Sequence, residues 1–266
     1  MSNVAEEIIA PIGPHEDNHA ARAQKLRLGT LAVYGSGMLV QDTLGLGLGS
    51  LLLFYLVNLC GMSGSAAGLA LGAALVVDSF IDPLVGSLSD NSRSRHGRRH
   101  PFMILAAVPI ALGFGMLFST PDSLSGWSLF AYAMAMLMLV RVGLSFFQVP
   151  YIALGAELSD DYAERSTIVA SRVIFTVFAG LAAAILAYFV YLNGPKGVHD
   201  RAAYSPYAWT CAGIVLVGAA VASFGTLSSR NRLHSAPTDG GGLSTVLAEV
   251  VEVFRNRSFC ILFSSC

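Results

Sequence analysis

The sequence is poor in charge. Asp, Glu, Lys and Arg make up 12% of its 266 residues, about half the share of a soluble domain. The formal net charge is -1, so there is no basic surface for nucleic acid. Cysteine is scarce as well. Cys60, Cys211, Cys260 and Cys266 show no C-x-x-C spacing, which argues against a zinc site or a disulfide framework and leaves small apolar fillers. His-Glu-x-x-His and Gly-x-Ser-x-Gly are absent, and His15, His19, His96, His100, His199 and His234 fall in the tail or in loops. An enzyme working inside a membrane is therefore not expected.

What the chain has instead is apolar length. Hydrophobic residues reach 54%, and the charges gather between apolar stretches at 28–59, 65–88, 102–119, 127–154, 168–192 and 207–227. Each is close to or above the ~20 residues a helix needs to cross the hydrocarbon. The fold class expected is an all-α membrane protein with six transmembrane helices over residues 28–228. Residues 1–27 read as a disordered polar tail. Residues 229–257 read as a linker carrying an amphipathic surface helix, with Leu243, Val246, Leu247, Val250 and Phe254 on one stripe. Residues 258–266 begin apolar and are too short to span, so they read as the truncated start of a seventh helix.

Lys and Arg set the orientation. Twelve fall in the tail, in the loops after the second and fourth spans, and after the sixth span, whereas only Lys196 and Arg201 lie opposite. The positive-inside bias puts the N-terminus in the cytoplasm of a multi-pass protein of the plasma membrane, which in a bacterium is the inner membrane.

A few charges lie where lipid should forbid them. Asp42 falls about fourteen residues into the first span, near mid-depth at roughly 20 Å. Asp78 and Asp82 share one face of the second span by their i, i+4 spacing, and Pro83 after them removes a backbone hydrogen bond and can free a carbonyl. Arg141 and Gln148 share a face of the fourth. Arg172 lies about one turn into the fifth, and either snorkels to the interface or faces a cavity. A charge at mid-helix costs ~2.5–3.5 kcal/mol, so these groups must turn inward and find partners. Three Asp against two Arg leave -1, room for one monovalent cation or one proton. Arg141 either neutralises an Asp or contacts substrate, and its charge favours a proton or an anionic substrate. The glycines of Gly45-Leu-Gly-Leu-Gly49 resemble a phosphate loop in spelling only and read as close-packing sites.

The loop after the second span, from Gly86 through Asp90, Arg93, Arg95, Gly97 and Arg98 to Pro101, is a topogenic basic loop. Asp90 paired with one of its arginines would also latch a cytoplasmic gate.

Read in order, these residues resemble the glycoside-pentoside-hexuronide:cation symporters of the major facilitator superfamily. The matching spellings are Tyr34-Gly-x-Gly37-x-x-x-x-Asp42, Asp78-x-x-x-Asp82-Pro83-x-x-Gly86, Ser92-Arg-x-Arg-x-Gly97-Arg98, and Pro150 at the fourth-span exit with the run to Glu157 and Arg165. The resemblance implies the six-helix N-terminal half of a twelve-helix carrier, whose site opens alternately to each side. It implies that Asp78 and Asp82 bind the coupling cation. It assigns Asp42 and Arg172 to the solute, and Arg141 and Gln148 are candidates for the same site. The expected function is symport of a small polar solute, a sugar or glycoside, with H+ or Na+. No cofactor beyond that ion, no catalytic residue, and no metal other than Na+ at Asp78 and Asp82 is expected. The expected partners are the solute, the cation, the bilayer and the missing C-terminal half. A lipid or lysolipid carrier, and a receptor or scaffold that transports nothing, stay open as alternatives.

Overall fold

The computed structural model describes residues 28–92, 97–159 and 161–227. Six helices follow one another: α1 (Leu28–Leu59), α2 (Gly64–Asp90), α3 (His100–Leu117), α4 (Gly126–Glu157), α5 (Tyr162–Tyr191) and α6 (Arg201–Leu227), each long and apolar enough to cross a membrane. No strand occurs among the described residues. The tail at 1–27, the linker at 229–257, the stretch at 258–266, and Arg93 and Arg95 lie outside the described residues.

Two helices start a turn or more before their apolar stretch, because polar caps draw the backbone in early. Asp161 caps α5 by accepting the backbone N–H of Glu164 at 3.1 Å. At the start of α6, Arg201 reaches back to the α3–α4 connection, donating to the carbonyl of Thr120 at 2.9 Å and pairing with Asp122 at 2.8 Å. Hydropathy is blind to such polar first turns. Similarly, His100 opens α3 fully buried, its Nε2 3.0 Å from Thr226 Oγ1 on α6. This histidine belongs to a span and not to a loop.

Helix α1 is irregular. It breaks at Ser36–Gly37, where Gly37 N–H turns back to the carbonyl of Tyr34 at 3.0 Å, and it widens to π-helical turns over Gly47–Leu51 and Tyr55–Leu59. The α-helical piece Met38–Leu46 is held between these irregularities. By contrast, α2 runs unbroken through Pro83.

Close helix contacts are made by small residues, as expected where lipid gives no hydrophobic drive. Gly113 on α3 packs against Val140 on α4, and Gly143 on α4 against Ile110 on α3. Gly115 on α3 lies under the Trp209 ring of α6, Gly218 on α6 packs on Leu39 of α1, and Gly35 on α1 packs on Phe175 of α5. Phe118, just past α3, lies among the rings of Tyr55, Phe114, Tyr204 and Tyr207, a buried aromatic knot that ties α1, α3 and α6 together at one end. Within the most apolar window of each helix, 56% of α3 is buried but only 17% of α2 and of α5. Those two helices present broad faces that lipid or another protein surface must cover.

Candidate functional site

A cavity of about 370 Å³ opens between α1, α2 and α4. Helix α1 lines it with Gln41, Gly45, Leu48 and Gly49, a stripe at i, i+4, i+7 and i+8. Helix α2 contributes Asp78 and Asp82, and α4 contributes Arg141, Ser145 and Gln148 among apolar neighbours. The glycines at 45 and 49 act here by absence. A Cβ at either position would meet nothing within 4 Å, so both leave space. Only Gly47 makes the close contact expected of this run, against the Phe114 ring.

The charges in the cavity are already partly matched. Arg141 Nη1 donates to Asp78 Oδ2 at 3.1 Å. The other carboxylate oxygen, Asp78 Oδ1, is buried without a hydrogen-bond partner, as are Gln41 Oε1 and Arg141 Nε. Asp78, Asp82 and Arg141 together carry -1, the balance that the sequence arithmetic anticipates for the whole membrane interior. Among the described residues no group of three His, Cys, Asp or Glu side chains is placed to hold a metal ion. The donor set is two carboxylates and neutral oxygens, a chemistry suited to a proton or a hard monovalent ion.

Asp42 and Arg172 occupy a neighbouring place. Asp42 follows Gln41 in α1, so its side chain is turned about 100° around the helix. There Oδ2 accepts from Thr176 Oγ1 on α5 at 2.9 Å. Arg172 lies ten residues inside α5, and its guanidinium stands 5.7 Å from the centre of the Tyr151 ring, with Nε buried. Of the four residues expected around the solute, the structure places Arg141 and Gln148 in the cavity, and Asp42 and Arg172 along the seam of α1, α4 and α5.

At the end that the charge bias makes cytoplasmic by expectation, Asp90 finds one of the arginines of the loop, Arg99. Arg99 Nη2 donates to Asp90 Oδ1 at 2.7 Å and lies 3.1 Å from Glu157 Oε1, which also pairs with Arg98. The ends of α2 and α4 are thereby tied to the start of α3. Gly97, with φ +96°, makes the turn that delivers both arginines, and a Cβ there would also stand 2.8 Å from His100 Nδ1. Gly86 lies one turn earlier on α2, its carbonyl accepting from Ser89 Oγ at 2.9 Å. Arg99 and Glu157 were not marked as gate residues by the spelling of the loop, because their partnership spans two helices.

Residues 33–266 match the family described as MFS/sugar transport protein. The chain belongs to this family. Among its curated relatives is an uncharacterized symporter of Synechocystis sp., 33% identical over 184 residues, 67% of this chain and 33% of that protein. A putative glycoside/cation symporter of Escherichia coli is 29% identical over 155 residues, 54% of this chain and 34% of that protein. A sodium-dependent lysophosphatidylcholine symporter of Mus musculus is 28% identical over 165 residues, 59% of this chain and 30% of that protein. The matched stretches cover about a third of the length of each of these relatives. Family membership and six apolar helices together make it a multi-pass membrane protein of a transport family, not of an enzyme family.

Proposed function

We propose that this chain forms one half of a secondary active transporter, which moves a small polar solute, a sugar or glycoside, together with H+ or Na+ by alternating access. The observation that carries this reading is the cavity balance of -1 with Asp78 Oδ1 left unpartnered beside Arg141. A buried oxygen without a donor is costly, and a mobile cation relieves both the missing contact and the missing charge. Asp78 and Asp82 are the cation ligands in this reading. Gln148, Arg141 and the Asp42–Arg172 seam face the solute, and the other half of the carrier closes the site. The membrane is the plasma membrane, with the N-terminus in the cytoplasm. The polar lining by Gln41, Ser145 and Gln148 supports a hydroxylated solute over a lipid chain.

The test is uptake into proteoliposomes by the transporter expressed from its whole open reading frame, with a panel of radiolabelled sugars and glycosides and imposed H+ or Na+ gradients. Asp78→Asn with Asp82→Asn is expected to abolish cation dependence. Undiminished cation-driven uptake by that double variant overturns the reading. Lysophosphatidylcholine movement with no sugar uptake would replace the solute class.

A further inference from the structure

Gln41 is the polar residue that α1 contributes to the cavity. It lies on Met38–Leu46, the short helical piece between the break at Ser36–Gly37 and the widened turn Gly47–Leu51. Its side chain lines the cavity with Asp78 and Asp82, and its Oε1 is buried with no donor in reach. Asp78 Oδ1 has the same defect in the same cavity. Two unpartnered acceptors on side chains that line one cavity, with the second Asp78 oxygen already taken by Arg141, favour a positive group bound among them. Asp82 adds a carboxylate one turn along α2.

We propose that Gln41 is a ligand of the coupling cation, its amide oxygen joining Asp78 and Asp82, and that it passes cation occupancy on to Asp42. The inference rests on the cation reading of Asp78 and Asp82. A sodium ion takes the amide oxygen directly. A proton on Asp78 Oδ1 becomes a donor to that oxygen. Either event draws Gln41 toward α2, and Asp42, the next residue on the same rigid piece, moves with it relative to Thr176 on α5. The breaks on both sides separate Met38–Leu46 from the rest of α1, so a shift of Gln41 is shared with Asp42 on the same piece.

The experiment uses the purified transporter from its whole open reading frame, probed with NaCl and with pH alone. Radiolabelled Na+ binding and proton uptake are measured for the parent, Gln41→Leu, Gln41→Glu and the Asp78→Asn/Asp82→Asn pair. Hydrogen exchange of Met38–Leu46 is followed with and without the cation. Gln41→Leu is expected to weaken Na+ binding about tenfold or, in the proton case, to move the protonation midpoint about one pH unit lower. In both cases it loses the cation-induced slowing of exchange. Gln41→Glu, which keeps an oxygen and adds charge, binds the cation at least as well as the parent, and it carries the test if the leucine variant folds poorly. If both Gln41 variants match the parent while the aspartate pair abolishes binding, the role of Gln41 is overturned and the cation site stands. If the aspartate pair also binds normally, the cation reading itself falls.

Discussion

Tyr34 and Tyr151 clasp each other across α1 and α4. The Tyr151 hydroxyl donates to the Tyr34 carbonyl at 2.9 Å, the Tyr34 hydroxyl donates to the Tyr151 carbonyl at 3.3 Å, and the rings stack with centroids 4.7 Å apart. Both side chains are buried. The clasp sits beside the break in α1, and Arg172 covers its outer ring.

Two glycines make this clasp possible. A Cβ on Gly155 would lie 2.1 Å from the Tyr34 hydroxyl, and one on Gly37 would lie 2.3 Å from the Tyr151 ring. Gly155→Ala and Gly37→Ala are each expected to destabilise by about 1–3 kcal/mol through overpacking. Gly180→Ala on α5, where a Cβ meets nothing within 4 Å, is expected to be neutral or to gain up to about 1 kcal/mol of helix propensity. Thermal unfolding in detergent checks this. Equal melting temperatures for all three variants would remove the clasp from the account.

The Arg141–Asp78 pair yields a charge prediction. Arg141→Gln leaves Asp78 and Asp82 together in the cavity with -2, so cation affinity is expected to rise and release to slow. In the Asp78→Asn background, where the pair is already broken and a cation ligand is lost, Arg141→Gln is expected to raise affinity less, with a coupling energy of about 0.5–3 kcal/mol between the two sites. A double-mutant cycle on Na+ or H+ binding measures it, and additivity would mean the two side chains act separately.

Where α2 and α4 end beside the start of α3, Glu157 serves two arginines and its side chain is 17% exposed, whereas that of Asp90 is 55% exposed. Glu157→Gln takes the counter-charge from Arg98 and one of the two from Arg99, which keeps Asp90, and is expected to cost about 1–3 kcal/mol. Asp90→Asn is expected to cost no more than about 1 kcal/mol. Denaturation midpoints of the two variants in detergent decide the order.

Cys60 lies just past α1, and burial pushes its thiol above the ordinary range. The thiolate is the reactive form, so the rate of maleimide labelling at Cys60 is expected to climb only at a pH more alkaline than for a free cysteine. Labelling as rapid at neutral pH as in a small thiol would contradict this environment.

The sequence announces some of this arrangement and conceals the rest for physical reasons. The six spans are legible because hydrocarbon solvent demands long apolar helices, and Asp78 with Asp82 is legible because four-residue spacing places charges on one face. Gln41 escapes notice since an uncharged amide carries little penalty by itself, and only its unpartnered oxygen in the folded chain makes it conspicuous. Asp42 looks like a companion of the Asp78 pair in depth, but a helix turns each residue about 100° from the last, and depth says nothing about azimuth. Arg99 was hidden for a related reason: which arginine of a basic run meets Asp90 depends on the turn at Gly97, and Glu157 arrives from 59 residues away from Arg98. Helix starts at Asp161 and Arg201 were set by hydrogen bonds that hydropathy does not record.

Gly45 and Gly49 make one further point about how such a chamber is sized. Because neither backbone touches a neighbour where its side chain would grow, a methyl or hydroxymethyl group at either position narrows the bore without disturbing the helices around it. What the chamber admits is thus tunable by single substitutions on one helix, while the acidic wall opposite stays as it is.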